Sequence, residues 1–97
     1  IGYWADGVVY RNSTGVASLA TFTSGDIIAV EVDFDGSLIY FQKSGGSRSS
    51  GIDISALGSG PFAPALSMVT SGNNATLNAG ATAFAVSPTS GFTAWGA

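Results

Sequence analysis

The chain of 97 residues fits one domain spanning 1–97, and with 45% apolar and 9% charged residues it is built to bury a core rather than to stay disordered. A net charge of −3 with three cations in all, Arg11, Lys43 and Arg48, cannot neutralise a phosphate backbone, which argues against nucleic acid as a partner. No apolar run reaches the length of about 18 residues needed to cross a bilayer as a helix, because the most apolar tract, 77–86, is broken by Asn78, Gly80 and Thr82.

Short runs of β-branched and aromatic residues, punctuated by Gly, Ser, Asn and Asp, recur along the chain where helical spacing is hard to find. The first run is 7–11 and the second 18–22. The third, 27–33, alternates: Ile28, Val30 and Val32 fall on one face and Glu31 and Asp33 on the other, as a half-buried strand requires. The fourth, 38–43, places Ile39 and Phe41 inward with Gln42 turned away. Between them Phe34-Asp35-Gly36-Ser37 offers a glycine for positive φ, so the two runs are expected to form an antiparallel hairpin. Residues 44–51 are small and polar and read as an exposed, mobile connection. Runs at 62–68, 75–79 and 83–86 complete about seven strands. The fold class expected is all-β, a two-sheet antiparallel β-sandwich.

Residues 25–41, Gly-Asp-Ile-Ile-Ala-Val-Glu-Val-Asp-Phe-Asp-Gly-Ser-Leu-Ile-Tyr-Phe, resemble the central signature of SPRY domains. Pro61-Phe62-Ala63-Pro64-Ala65-Leu66-Ser67 is similar to that family's Pro-Ala strand, and Ala75-Thr76-Leu77-Asn78-Ala79-Gly80 to its strand ending in Asn-x-Gly. Gly2-Tyr3-Trp4-Ala5-Asp6-Gly7 looks like the aromatic stretch before the signature, and Phe84, Pro88 and Gly91-Phe92 like the closing segment. The resemblance implies a concanavalin A-like sandwich and a role in binding proteins or peptides. The low-charge, Ser/Thr/Gly/Ala-rich composition is most similar to the members found in bacteriophage virions. The family's N-terminal strands have no counterpart here, so the domain is expected to be incomplete at its N-terminus and part of a longer polypeptide. In the family the ligand face is built from loops, and the loop after the Pro-Ala strand corresponds to Val69-Thr70-Ser71-Gly72-Asn73-Asn74.

With neither His nor Cys, the chain lacks the residues of nucleophilic triads and of most metal centres, and no cofactor is expected. Its lack of cysteine leaves the redox compartment open. Asp26, Glu31, Asp33 and Asp35 include a pair, Glu31 and Asp33, about 6 to 7 Å apart on one strand face, which a glycosidase could use as acid and base. The competing explanation is that Asp26, Asp33 and Asp35 close turns by accepting backbone N–H bonds. Asp33-Phe34-Asp35-Gly36 has the opening of a calcium loop but not the rest of it, so no metal is expected. Tyr3, Trp4, Tyr10, Tyr40, Phe92 and Trp95 offer aromatic surface for a sugar or peptide, against the alternative of core packing. The candidate ligand-binding set is therefore Tyr3, Trp4, Tyr10, Val69, Thr70, Ser71, Gly72, Asn73, Asn74 and Trp95. Asn12-Ser13-Thr14 and Asn74-Ala75-Thr76 are glycosylation sequons that matter only in a secretory pathway.

All nine charged residues lie at or before Asp53, leaving 54–97 uncharged. Such a half suits contact with neighbouring subunits, since interface cores are depleted in charge. The function expected is thus a non-catalytic structural or decoration domain of a larger particle such as a phage virion, located in a virion or outside the cell. Its partners would be protein subunits meeting 54–97 and the edge near 1–10. The alternatives are a free-standing SPRY-type module for a peptide or glycan, in the cytoplasm or outside it, and, third, a glycosidase-type enzyme.

Overall fold

The computed structural model describes residues 1–23, 25–57 and 86–93. Six strands and one 3-10 turn make up the regular structure of these residues. They are β1 (Gly2–Tyr3), β2 (Val8–Arg11), β3 (Thr14–Ser18), β4 (Ile28–Asp33), β5 (Leu38–Lys43) and β6 (Ile52–Asp53), followed by the 3-10 turn Ser55–Leu57. They form two antiparallel three-stranded sheets, β1-β2-β3 and β4-β5-β6, in which every strand pairs with its neighbour in the chain. The fold is all-β and sandwich-like. The predicted runs at 62–68, 75–79 and nearly all of 83–86 lie outside the described residues.

The first hairpin is set by a glycine. The Gly7 N–H donates to the Trp4 carbonyl at 2.9 Å and the Trp4 N–H to the Val8 carbonyl at 3.1 Å, a three-residue loop whose last member, Gly7, has φ +90°. A side chain is excluded there twice over, because a Cβ on Gly7 would also stand 2.5 Å from the Leu19 carbonyl oxygen. The second hairpin turns at Asn12 (φ 50°) and Ser13 (φ 65°), two consecutive left-handed residues that suit the twist of the flanking strands. This turn places β3 at Thr14–Ser18 rather than at 18–22 as the apolar pattern suggests. A register shift between Val9 and Tyr10 leaves Val16 as the extra residue in β3, breaking the period that would have marked the strand.

β4 and β5 pair along their whole length, from Ile28 opposite Lys43 to Asp33 opposite Leu38. Their four-residue link differs from expectation in one respect: the residue with positive φ is Ser37 (55°), not Gly36. Gly36 is needed for space. Asp33 Oδ1 accepts the Gly36 N–H at 3.0 Å, and a Cβ on Gly36 would lie 2.6 Å from Asp33 Oδ2.

The core joins Val9 of the first sheet to Ile39, Phe41 and Ile52 of the second and to Ile54 just after β6, with Tyr3, Val16, Ala17, Leu19, Ile28, Val32 and Leu57 packed around them. Ile28, Val32, Ile39 and Phe41 thus face the core as expected. Val30 does not: it is 52% exposed, and its register partner Phe41 fills that level of the core from the next strand inward. Residues 44–51 are mostly exposed, as expected, with Arg48 and Ser49 half-buried where the segment folds back onto β5. Ser49 donates its N–H to the Phe41 carbonyl at 2.8 Å, and its Oγ accepts the Phe41 N–H at 3.0 Å.

Candidate functional site

Alternation along β1 separates two neighbouring aromatics that the sequence grouped together. Tyr3 turns inward. Its ring meets Phe22 edge-on at 4.9 Å and Phe41 at 5.2 Å, and its hydroxyl donates to the Ala20 carbonyl, so it is a packing residue. Burial, with a smaller contribution from Asp26, pushes its pKa up. Trp4, one step on, points the other way and is 58% exposed.

Trp4 and Tyr10 come together on the outer face of the first sheet, ring centroids 5.1 Å apart and planes tilted by 60°. The strand partners of Tyr10 on both sides are glycines, Gly2 on β1 and Gly15 on β3. A Cβ on Gly2 would lie 3.3 Å from the Trp4 indole nitrogen, and one on Gly15 would lie 3.9 Å from Tyr10 Cε1. The two rings therefore rest over bare backbone. Neither the Trp4 Nε1–H nor the Tyr10 hydroxyl bonds to any described residue, whereas the Tyr3 hydroxyl does. The remaining candidates, Val69, Thr70, Ser71, Gly72, Asn73, Asn74 and Trp95, lie outside the described residues.

Four carboxylates serve local structure. Asp6 Oδ1 accepts the Val8 N–H at 3.0 Å, Asp26 Oδ2 the Thr23 N–H at 2.8 Å, Asp33 the Gly36 N–H, and Asp53 Oδ1 the Ser55 N–H at 2.8 Å. The bonds from Ser55 hold the Asp53 carboxyl below its usual range. Lys43 joins Asp26 at 3.6 Å and donates to the Thr21 carbonyl at 3.1 Å. The turn reading holds for Asp26 and Asp33, whereas Asp35 accepts no hydrogen bond from a described residue; the calcium-like stretch is a β-turn.

Glu31 differs from these, and sequence reasoning did not find its role. From the outer face of β4 its Oε1 accepts Arg48 Nε at 2.7 Å and Thr89 Oγ1 at 2.9 Å, while its Oε2 accepts the Thr89 N–H at 2.7 Å. Partial burial raises the carboxyl pKa, but the bonds from Thr89 and Arg48 outweigh it and the net direction is down. The Arg48 guanidinium lies 3.5 Å from the Tyr40 ring centroid and 5.2 Å from that of Phe92, and these two rings meet edge-on at 6.1 Å. The cluster clamps residues 86–93 and the 44–51 segment onto the second sheet. Glu31 and Asp33 are each engaged by different partners, Arg48 and Thr89 for the one and the Gly36 N–H for the other.

An open groove of about 530 Å³ runs where β3 faces β6, lined by Arg11, Val16, Ser18, Leu19, Ser50 and Asp53 among others. Arg11 crosses it to donate to the Asp53 carbonyl. Among the described residues no three carboxylate, His or Cys side chains gather as a metal site would require, and no helix is long and apolar enough to cross a membrane. Comparison with protein-family models, with curated proteins and with solved structures finds no match.

Proposed function

We propose that this chain is a non-catalytic structural domain that takes its place in a larger protein particle by contact with neighbouring subunits. The observation that carries the reading is Val30. It falls between the packed residues Ile28 and Val32 in the alternation of β4 and yet is 52% exposed. An apolar position between packed positions of a strand but open to water is where a partner can extend the core. The uncharged half of the sequence, 54–97, favours the same kind of contact, and the low-charge, Ser/Thr/Gly/Ala-rich composition, in a chain whose residues 25–41 resemble the SPRY signature, favours a virion as the setting.

Glu31 and Asp53 are poorly suited to act as general acids. A general acid needs a pKa raised toward the working pH, whereas Glu31 and Asp53 are shifted downward by bonds that fix their geometry.

Light scattering of the isolated chain over a concentration series tests the proposal. The expected mass rises above that of a 9.7 kDa monomer, and Val30→Asp returns it to the monomer with the far-ultraviolet spectrum unchanged. A wild-type chain that stays monomeric at high concentration refutes it.

A further inference from the structure

We propose that the Trp4–Tyr10 corner is a binding site for a neutral saccharide, one pyranose ring seated with its apolar face on the Trp4 indole. This goes beyond assembly and does not depend on it, since the corner lies on the outer face of the first sheet and the assembly reading rests on β4.

Four observations converge. Trp4 is the most exposed of the large apolar side chains described, at 58%. Gly2 and Gly15 on either side of Tyr10 have no side chains to cover the rings. The 60° tilt at 5.1 Å makes a corner with one stacking wall and one polar wall rather than a sealed aromatic stack. The indole N–H and the tyrosine hydroxyl have no partner among the described residues, and they supply a donor and a donor-acceptor beside an apolar surface.

Those are the needs of a pyranose, whose C–H face is apolar and whose rim carries hydroxyls. The residues that form the corner, Gly2, Trp4, Val8, Tyr10 and Gly15, carry no charge, which matches a neutral sugar and gives no counterion for an anionic one. A site that covers only one face of one ring binds weakly, with Kd on the order of 1 mM, and gains strength when several copies are presented together.

The test is a titration of the full chain with the methyl glycosides of glucose, galactose, mannose and N-acetylglucosamine, followed by the Trp4 indole N–H resonance and by the backbone amide resonances of Gly2 and Gly15, which remain in every variant. Trp95→Phe assigns that signal. At least one glycoside is expected to shift the resonance saturably; Trp4→Ala should weaken binding by about tenfold or more, and Tyr10→Phe, which removes only the hydroxyl, by severalfold. Both side chains project from the outer face, so retained spectral dispersion certifies the fold of each variant. No saturable shift with any glycoside, undiminished binding by a folded Trp4→Ala chain, or a shift caused by a proline-rich peptide and by no glycoside would each overturn the proposal.

Discussion

Glu31 and Thr89, 58 residues apart in the chain, are joined by two hydrogen bonds: the Thr89 N–H donates to Oε2 at 2.7 Å and its hydroxyl to Oε1 at 2.9 Å. With the 2.7 Å bond from Arg48, this one carboxylate accepts three donors from two separate segments. Glu31→Gln keeps the shape but loses the charge and gives Arg48 no anion. It is expected to cost about 2 kcal/mol in urea unfolding, while Thr89→Val, which spares the backbone bond, costs about 1 kcal/mol. If the two variants are equally stable to within error, the carboxylate is not the centre of the clamp.

The same bonds give stability a pH dependence. The folded chain holds the Glu31 carboxyl below its usual range, so on acidification the unfolded chain takes up a proton first. The contribution of Glu31 is complete above the ordinary glutamate range and is lost as pH falls through the folded-state value. Urea midpoints measured from pH 7 downward should be level and then fall below about pH 5, with a shallower fall in Glu31→Gln. Asp53 shifts in the same direction and leaves that variant a residual slope. A midpoint that rises on acidification would contradict this.

The two turn glycines answer to different constraints. Gly7→Ala must adopt φ +90° with its Cβ against the Leu19 carbonyl, whose own residue donates its N–H back to the Gly7 carbonyl at 2.6 Å. About 1 to 3 kcal/mol of strain is expected, together with displacement of the segment after β3. Gly36→Ala collides only with the Asp33 carboxylate, a movable group, so its cost should be near 1 kcal/mol, the worth of the turn bond it breaks. Calorimetry of the two variants should rank them in that order.

Phe41 and Val30 are register partners with opposite surroundings, at 6% and 52% exposure. Phe41→Ala should cost about 3 to 5 kcal/mol by leaving a cavity beneath Tyr3. Val30→Asp should change the stability of the monomer by less than about 1 kcal/mol. Equal losses would mean that Val30 is buried in solution.

The hairpin of β4 and β5 was legible in the sequence because strict alternation, bounded by turn residues, encodes a strand locally. Asp26 and Asp33 were legible as turn residues for the same reason: their partners lie within three residues. β3 was not, since its turn uses Asn12 and Ser13 where glycine would have been the signal, and the extra residue Val16 breaks its period. Tyr3 and Trp4 looked alike because only the pairing of β1 with β2 decides which of them faces in. The Glu31 cluster could not be read at all, because nothing near residue 31 announces a partner at residue 89. Exposure of Val30 is likewise a matter of which neighbours stand opposite a strand, not of the strand's own pattern.

The arrangement of strands sets an order of events. Within each sheet, pairing joins chain neighbours and closes loops of two to eight residues, at small entropic cost. The links that bring distant parts together span much longer stretches, 42 residues for Arg11 to Asp53, 22 for Lys43 to Thr21 and 58 for Thr89 to Glu31. The two meanders are therefore the fast-forming units, and their docking is the slow step. Until it happens Val9, Ile39 and Phe41 face water on two half-built sheets, and the chain is at its stickiest while it is still being made.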